Sequence, residues 1–324
     1  MDVFFKTSAV ILFLIPIVGS IGFVGNVLVC VTIIYTKKLH NVTNLMILNL
    51  AVADTLVSVS CAPYASISLQ FSHSKNISLH SNSSHCPEDR LFQFTSTWIY
   101  YFFINCFRAH SVLSLTLANY ERFIGISRPL HYSSYFTRRK ITLLLLAVWI
   151  IPVIVCLPRS VFKIDQFKRD ECVNGELQKP TASSILAMLL LFLPLAATIW
   201  MYIRILINLK QGARNLEEQG IQGPAQELHQ AHKKVTSTLA IITTAFFILV
   251  LPGAVWFSIS LLLDADLFNI DVAIWNVFTL LSMMNSAINP VLYGFKYVQL
   301  RKAFISMVCR SCNQQRQPNQ IGPL

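Results

Sequence analysis

Charge is scarce in this sequence: Asp, Glu, Lys and Arg make up 13% of its 324 residues, against 54% hydrophobic residues. A soluble domain carries about twice that charged fraction, and the mean hydropathy of +0.55 points the same way, so the chain reads as a membrane protein. Acids are scarcer than bases, 15 against 26, and the apolar runs contain one aspartate, Asp54. With no HExxH and no second intramembrane aspartate to pair with it, an intramembrane enzyme is excluded. No repeat relates the two halves, which weighs against a transporter. No large polar segment is present to serve as an adhesion or scaffold domain. Despite a net charge of +11, no basic run is interleaved with stacking aromatics, so nucleic acid is not a partner.

What is present is seven long apolar runs, over residues 8–35, 44–69, 91–126, 141–157, 182–207, 235–263 and 272–295. Each is near the roughly 20 residues that a helix needs to cross a ~30 Å hydrocarbon core, the fourth being the shortest. The expected fold is an all-α membrane protein, a single domain over residues 1–324: a seven-transmembrane helix bundle with a short amphipathic eighth helix. That eighth helix covers 296–308, where Val298, Leu300, Phe304 and Met307 share a stripe facing membrane lipid while Lys296, Arg301 and Lys302 meet headgroups. Residues 309–324 form a cytosolic tail. The first run follows only "MDVFFKT" and is too long for a signal h-region, so it is expected in the mature chain.

Basic residues fix the orientation. They cluster at Lys37–Lys38, Arg138–Lys140, Lys233–Lys234 and Lys296–Lys302, all on one side if the N-terminus is extracellular and the C-terminus cytosolic. The long inner loop "KQGARNLEEQGIQGPAQELHQAHKK" reads as a partly ordered extension of its flanking helices.

The eight cysteines divide by this map. Cys30, Cys61, Cys106 and Cys156 lie in apolar runs as small buried side chains. Cys309 and Cys312 follow the last helix on the cytosolic side, where palmitoylation fits. Cys86 and Cys172 alone fall in outer loops, the oxidising side, and are expected to bridge; mass spectrometry of unreduced peptides should recover them joined, and two free thiols would refute the bridge. The outer-loop sequons at Asn76 and Asn82 are expected to carry glycans and the inner-loop Asn41 none. A glycan on Asn41 would invert the topology.

Polar groups in hydrocarbon are costly unless satisfied, so they mark function. Asn26 follows Gly25, Asp54 closes "LNLAVAD", Ser111 lies in the third run, and "MNSAINPVLY" supplies Asn285, Ser286, Asn289 and Tyr293. Spacings of four put Asn285, Asn289 and Tyr293 on one face.

In their order, "GNVLV", "LNLAVADTL", "ERF" at Glu121–Phe123, Trp149, Pro194 with Tyr202, Phe246 with Pro252, and "NPVLY" at Asn289–Tyr293 resemble the class A (rhodopsin-like) G-protein-coupled receptors over nearly the whole chain. No ligand branch is singled out. The resemblance implies a plasma-membrane receptor, not an enzyme, that binds an extracellular small molecule, lipid or peptide and activates a heterotrimeric G protein, with arrestin as a further partner. It implies that Glu121, Arg122, Phe123, Pro194, Tyr202, Phe246, Pro252, Asn289, Pro290 and Tyr293 form the activation switch. It also implies an allosteric sodium ion at Asp54, Ser111, Asn285 and Asn289, for which a plain hydrogen-bond network is the alternative; no other cofactor is implied. A seven-helix transporter or a non-signalling membrane protein is the alternative reading of the chain.

Departures from the family are informative. Val250 stands where a tryptophan is usual two residues before the sixth-helix proline. His232, Lys233 and Lys234 stand where an acid would restrain Arg122. The third-helix cysteine gives way to the region around Thr97, so family analogy does not by itself assign the Cys86–Cys172 bridge. Ile104 occupies the place of the amine-binding aspartate, which speaks against a typical biogenic amine, and the seventh run has no lysine for retinal. Arg108 lies fourteen residues before Arg122, ~21 Å along the helix and near mid-membrane. Three arrangements satisfy it: an ion pair with Asp54, an anionic ligand bound beside Ile104 and Asn105, or backbone carbonyls and water.

Overall fold

Inside a bilayer a chain must satisfy its own backbone polar groups, and long apolar runs do so as α-helices. The computed structural model describes residues 2–66, 88–169, 182–218, 220, 223–262 and 272–315. Its long helices are α1 (Asp2–Tyr35), α2 (Val42–Val59, resuming after a turn at Ser60 as far as Ser66), α3 (Glu88–Ser127), α4 (Arg138–Arg169), α5 (Ala182–Glu218), α6 (Pro224–Leu262), α7 (Val272–Lys296) and α8 (Val298–Gln315). No strand occurs among the described residues.

The central helices outrun the apolar segments that predicted them. α4, α5 and α6 reach residues 138–169, 182–218 and 224–262, instead of 141–157, 182–207 and 235–263. Apolar runs mark hydrocarbon, whereas a helix continues into water wherever its residues are good helix formers. Arg214 and Glu218, both exposed, sit 3.7 Å apart one turn on at the end of α5, a weak solvent-screened pair. α8 begins after Tyr297 and runs to Gln315, beyond the expected 308.

α1 packs along α7 and α2, α3 touches α2, α4, α5 and α6, α6 lies against α5 and α7, and α8 tucks under α7 and α1. Between α1 and α2, Asn41 accepts from Asn44 N at 2.9 Å and so caps α2. α8 is anchored by Leu300, which is buried in one cluster with Val29, Ile33 and Tyr293.

The radial pattern reverses that of a soluble bundle. Asn26, Asp54, His110, Ser114, Asn119, Glu121 and Asn289 are buried, while Phe13, Ile154, Leu193, Ile248 and Phe295 are each more than 60% exposed. Apolar side chains face the lipid and polar ones face each other.

Candidate functional site

Asp54, fully buried on α2, ties three helices together. Its Oδ1 accepts from Ser111 Oγ on α3 at 3.2 Å and from Ser286 Oγ on α7 at 2.8 Å, and its Oδ2 accepts from Asn289 Nδ2 at 2.7 Å. Asn26 on α1 extends the cluster, its Nδ2 donating to Ser286 O and Gly22 O, both at 2.9 Å. Ser286 takes the place expected of Asn285, which is buried one residue earlier and is not among the groups bonded to Asp54. The Oδ1 atoms of Asn26 and Asn289 are buried with no hydrogen-bond partner, so the cluster holds acceptors in excess of donors.

Towards α4, Asn49 Nδ2 donates to Ser114 Oγ at 2.7 Å and accepts from Trp149 Nε1 at 3.0 Å. The Trp149 ring lies 3.9 Å from that of His110, whose Nδ1 is 3.3 Å from Ser114 Oγ. Trp149 thus fastens α4 to α2 and α3. On the other side of α3, Thr116 Oγ1 donates to Val112 O at 2.9 Å and lies 3.1 Å from Thr198 Oγ1 and 3.4 Å from Pro194 O on α5. Asn119 Nδ2 donates to Leu115 O at 2.9 Å and reaches Thr243 Oγ1 on α6 at 3.3 Å. Phe246 is buried with Leu115, Leu195 and Tyr293, and Val250 packs against the same cluster.

At the far end of α3, Glu121 is held from three directions. Thr43 Oγ1 on α2 donates to its Oε1 at 3.1 Å, Tyr132 OH donates to the same atom at 2.5 Å, and Arg122 Nε lies 2.9 Å from its Oε2. The last is an ion pair by proximity, since Arg122 Nε makes no well-angled hydrogen bond. Burial, then the bond to Glu121, pushes the Tyr132 phenol pKa up, so Tyr132 stays a donor at physiological pH. Phe123 packs on Trp200 of α5, ring centroids 5.4 Å apart. Tyr293 is buried with its ring 5.8 Å from Tyr297; Tyr202 is half-buried and Pro252 exposed.

Arg108 does not reach Asp54. It makes no ion pair with any described carboxylate, and its Nε is buried without a hydrogen-bond partner. Ile104, one turn earlier, is buried among Tyr64, Val57, Cys61 and Met283, and Asn105 is exposed. The side chains of Cys309 and Cys312, and Asn76, Asn82, Cys86 and Cys172 as a whole, lie outside the described residues, so those expectations stand on sequence alone.

Helical spacing does not find Thr43 and Tyr132, which clasp Glu121: Thr43 lies on α2 and Tyr132 follows the end of α3 at Ser127, so only the fold brings them there. Ser286 was visible in its motif and is separated from Asn285 only by helix rotation.

A membrane bundle of this helix order, with a polar interior running from α1 to α7 and an acid–arginine pair at one end of α3, has the architecture of a seven-helix receptor. The model of the family described as "7 transmembrane receptor (rhodopsin family)" matches residues 25–293. Among curated proteins, the chain is 25% identical to the alpha-1A adrenergic receptor of Oryzias latipes over 90% of its own length and 65% of the receptor's. It is 27% identical to somatostatin receptor type 4 of Rattus norvegicus, over 91% of this chain and 72% of that receptor. With trace amine-associated receptor 9 of Mus musculus the identity is 28%, over 86% and 78%. The chain belongs to the rhodopsin family of seven-transmembrane receptors, a family of signalling receptors and not of enzymes.

Proposed function

We propose that this chain is a plasma-membrane receptor, N-terminus outside, that couples an extracellular ligand to a heterotrimeric G protein. The observation that carries this reading is the clasped Glu121–Arg122 pair: a half-buried arginine held by one acid, itself held by Thr43 of α2 and Tyr132, an arrangement that the receptor reading makes one of two states. In one, Arg122 stays with Glu121. In the other it is released to meet an incoming partner as α6 moves outward, with Tyr202 and Tyr293 turning in behind it. Arrestin would use the same face. Ile104 in place of an acid speaks against a typical amine ligand, although two of the relatives named above are, by name, adrenergic and trace amine receptors.

Binding of a non-hydrolysable GTP analogue to membranes carrying the chain and a panel of G proteins tests the reading. The wild type should exceed mock membranes several-fold, and Arg122→Ala at matched surface level should fall back to mock. Wild-type signal equal to mock across the panel would overturn it.

The acceptor-rich cluster at Asp54 suits a hard cation. Asp54, Ser111, Ser286 and Asn289 would hold a sodium ion there, its charge favouring the packing that gathers them. Replacing choline chloride by sodium chloride should lower ligand-free nucleotide exchange in the wild type and leave Asp54→Asn unaffected; an equal sodium response in the variant would remove the ion from the account.

A further inference from the structure

We propose that the ligand of this receptor is an organic monocarboxylate with an apolar body, bound between Arg108 of α3 and Asn276 of α7; the inference rests on the receptor reading and gives its ligand a chemical class. A charge near mid-membrane must be paired, because desolvating it alone is prohibitive. Arg108 has no such partner among the described residues. Asp54, the intramembrane aspartate, accepts from Ser111, Ser286 and Asn289 and makes no ion pair with Arg108, and Glu121 is engaged more than three turns away with Arg122, Thr43 and Tyr132.

A second orphan donor stands on α7. Asn276 is 1% exposed. Its Oδ1 accepts from Tyr64 OH at 2.9 Å, with Thr279 Oγ1 3.4 Å from the same hydroxyl, yet its Nδ2 is buried without a partner. The amide turns its oxygen to Tyr64 and leaves its Nδ2, a donor, facing the cluster interior.

The two orphans flank one apolar cluster. Ile104 and Phe107, the neighbours of Arg108 on α3, pack with Tyr64, Cys61 and Met283, and Leu280 joins them. Two donors beside an apolar wall, one of them cationic, call for an acceptor bearing one negative charge and an apolar body. A carboxylate matches the guanidinium fork, whereas a phosphate dianion would leave a net charge of the other sign in the membrane.

The test is thermal unfolding of the purified full chain in lipid nanodiscs at constant chloride, with hexanoate, decanoate or phenylacetate, each compared with the alcohol of the same skeleton. At least one acid should raise Tm saturably while its alcohol does not; decanoate acting alone would indicate a lipid-derived acid and phenylacetate alone a water-soluble aromatic one. Arg108→Gln and Asn276→Leu should each weaken the apparent affinity at least about tenfold, the loss expected for a charge-assisted bond, and Arg108→Lys should weaken it less than Arg108→Gln. Should Arg108→Gln fail to fold, Asn276→Leu and Arg108→Lys decide. Alcohols as effective as acids, no acid effective, or wild-type affinity in the variants would overturn the proposal. Nucleotide exchange without carboxylate binding defeats this inference alone, and carboxylate binding without exchange defeats the receptor reading alone.

Discussion

Gly19→Leu should remove most of the folded chain from the membrane, whereas Gly294→Ala should leave its yield unchanged. A Cβ at Gly19 would stand 2.5 Å from Cys61 Cβ and 2.9 Å from the Ser58 carbonyl oxygen. At Gly22 it would meet Ser58 Oγ at 2.6 Å and Ala287 Cα at 3.3 Å, and at Gly25 Pro290 Cβ at 2.8 Å. The three glycines, three residues apart, form the seam by which α1 lies on α2 and α7. Between helices in lipid there is no gain from expelling water, so close backbone approach and the contacts it allows hold the seam. Overpacking a tight contact costs about 1–3 kcal/mol, more when the obstacle is backbone, and the Ser58 carbonyl cannot rotate aside. Because Asn26 reaches Ser286 O from α1, opening the seam also loosens the cluster around Asp54. At Gly294 a Cβ meets nothing within 4 Å, and alanine there favours the helix by about 1 kcal/mol. Fluorescence-detected size exclusion of tagged variants measures both. A monodisperse Gly19→Leu peak at wild-type height would show that the seam is slack.

The helices were legible because hydrocarbon imposes a length on apolar runs, and the polar interior was legible because lipid leaves polar groups nowhere else to go. Asn285, Asn289 and Tyr293, spaced by four, are all buried, as their common face requires. Helix ends needed more than the apolar criterion: α5 keeps its helix through Lys210, Arg214 and Glu218, as reading this inner loop as an extension of its flanking helices expects. Rotational detail was lost as well. Asn285 and Ser286 differ by about 100° around α7, and which of them meets Asp54 depends on how α7 sits against α2. The same holds for Arg108, which shares a helical face with Ser111 in sequence and yet does not follow it to Asp54. Partners brought by tertiary structure alone, Thr43 and Tyr132 at Glu121 or Asn49 at Trp149, leave no period to read.

Glu121→Gln should raise ligand-free nucleotide exchange about tenfold or more, with Tyr132→Phe giving a smaller rise. Glu121 is the carboxylate that Arg122 pairs with among the described residues, and the sequence places His232, Lys233 and Lys234 where an acid on α6 would otherwise hold Arg122. The restraint on the resting packing is therefore concentrated in one side chain, 3% exposed, where its bonds are little screened by solvent. Neutralising it removes a charge-assisted contact of about 1.5–3 kcal/mol, and each 1.4 kcal/mol moves a minor population tenfold. The amide keeps the size of the carboxylate and still offers an oxygen to Thr43 and Tyr132, so folding should survive the change. Tyr132→Phe leaves the ion pair and removes one donor, about 1 kcal/mol and roughly fivefold. Arg122→Ala, which takes away the group that meets the G protein, should abolish exchange even when combined with Glu121→Gln. GTP-analogue binding at matched surface levels reads all four variants. Exchange by Glu121→Gln within twofold of wild type would mean that the pair does not hold the resting state, and a fall to the Arg122→Ala level would mean that Glu121 serves the active one.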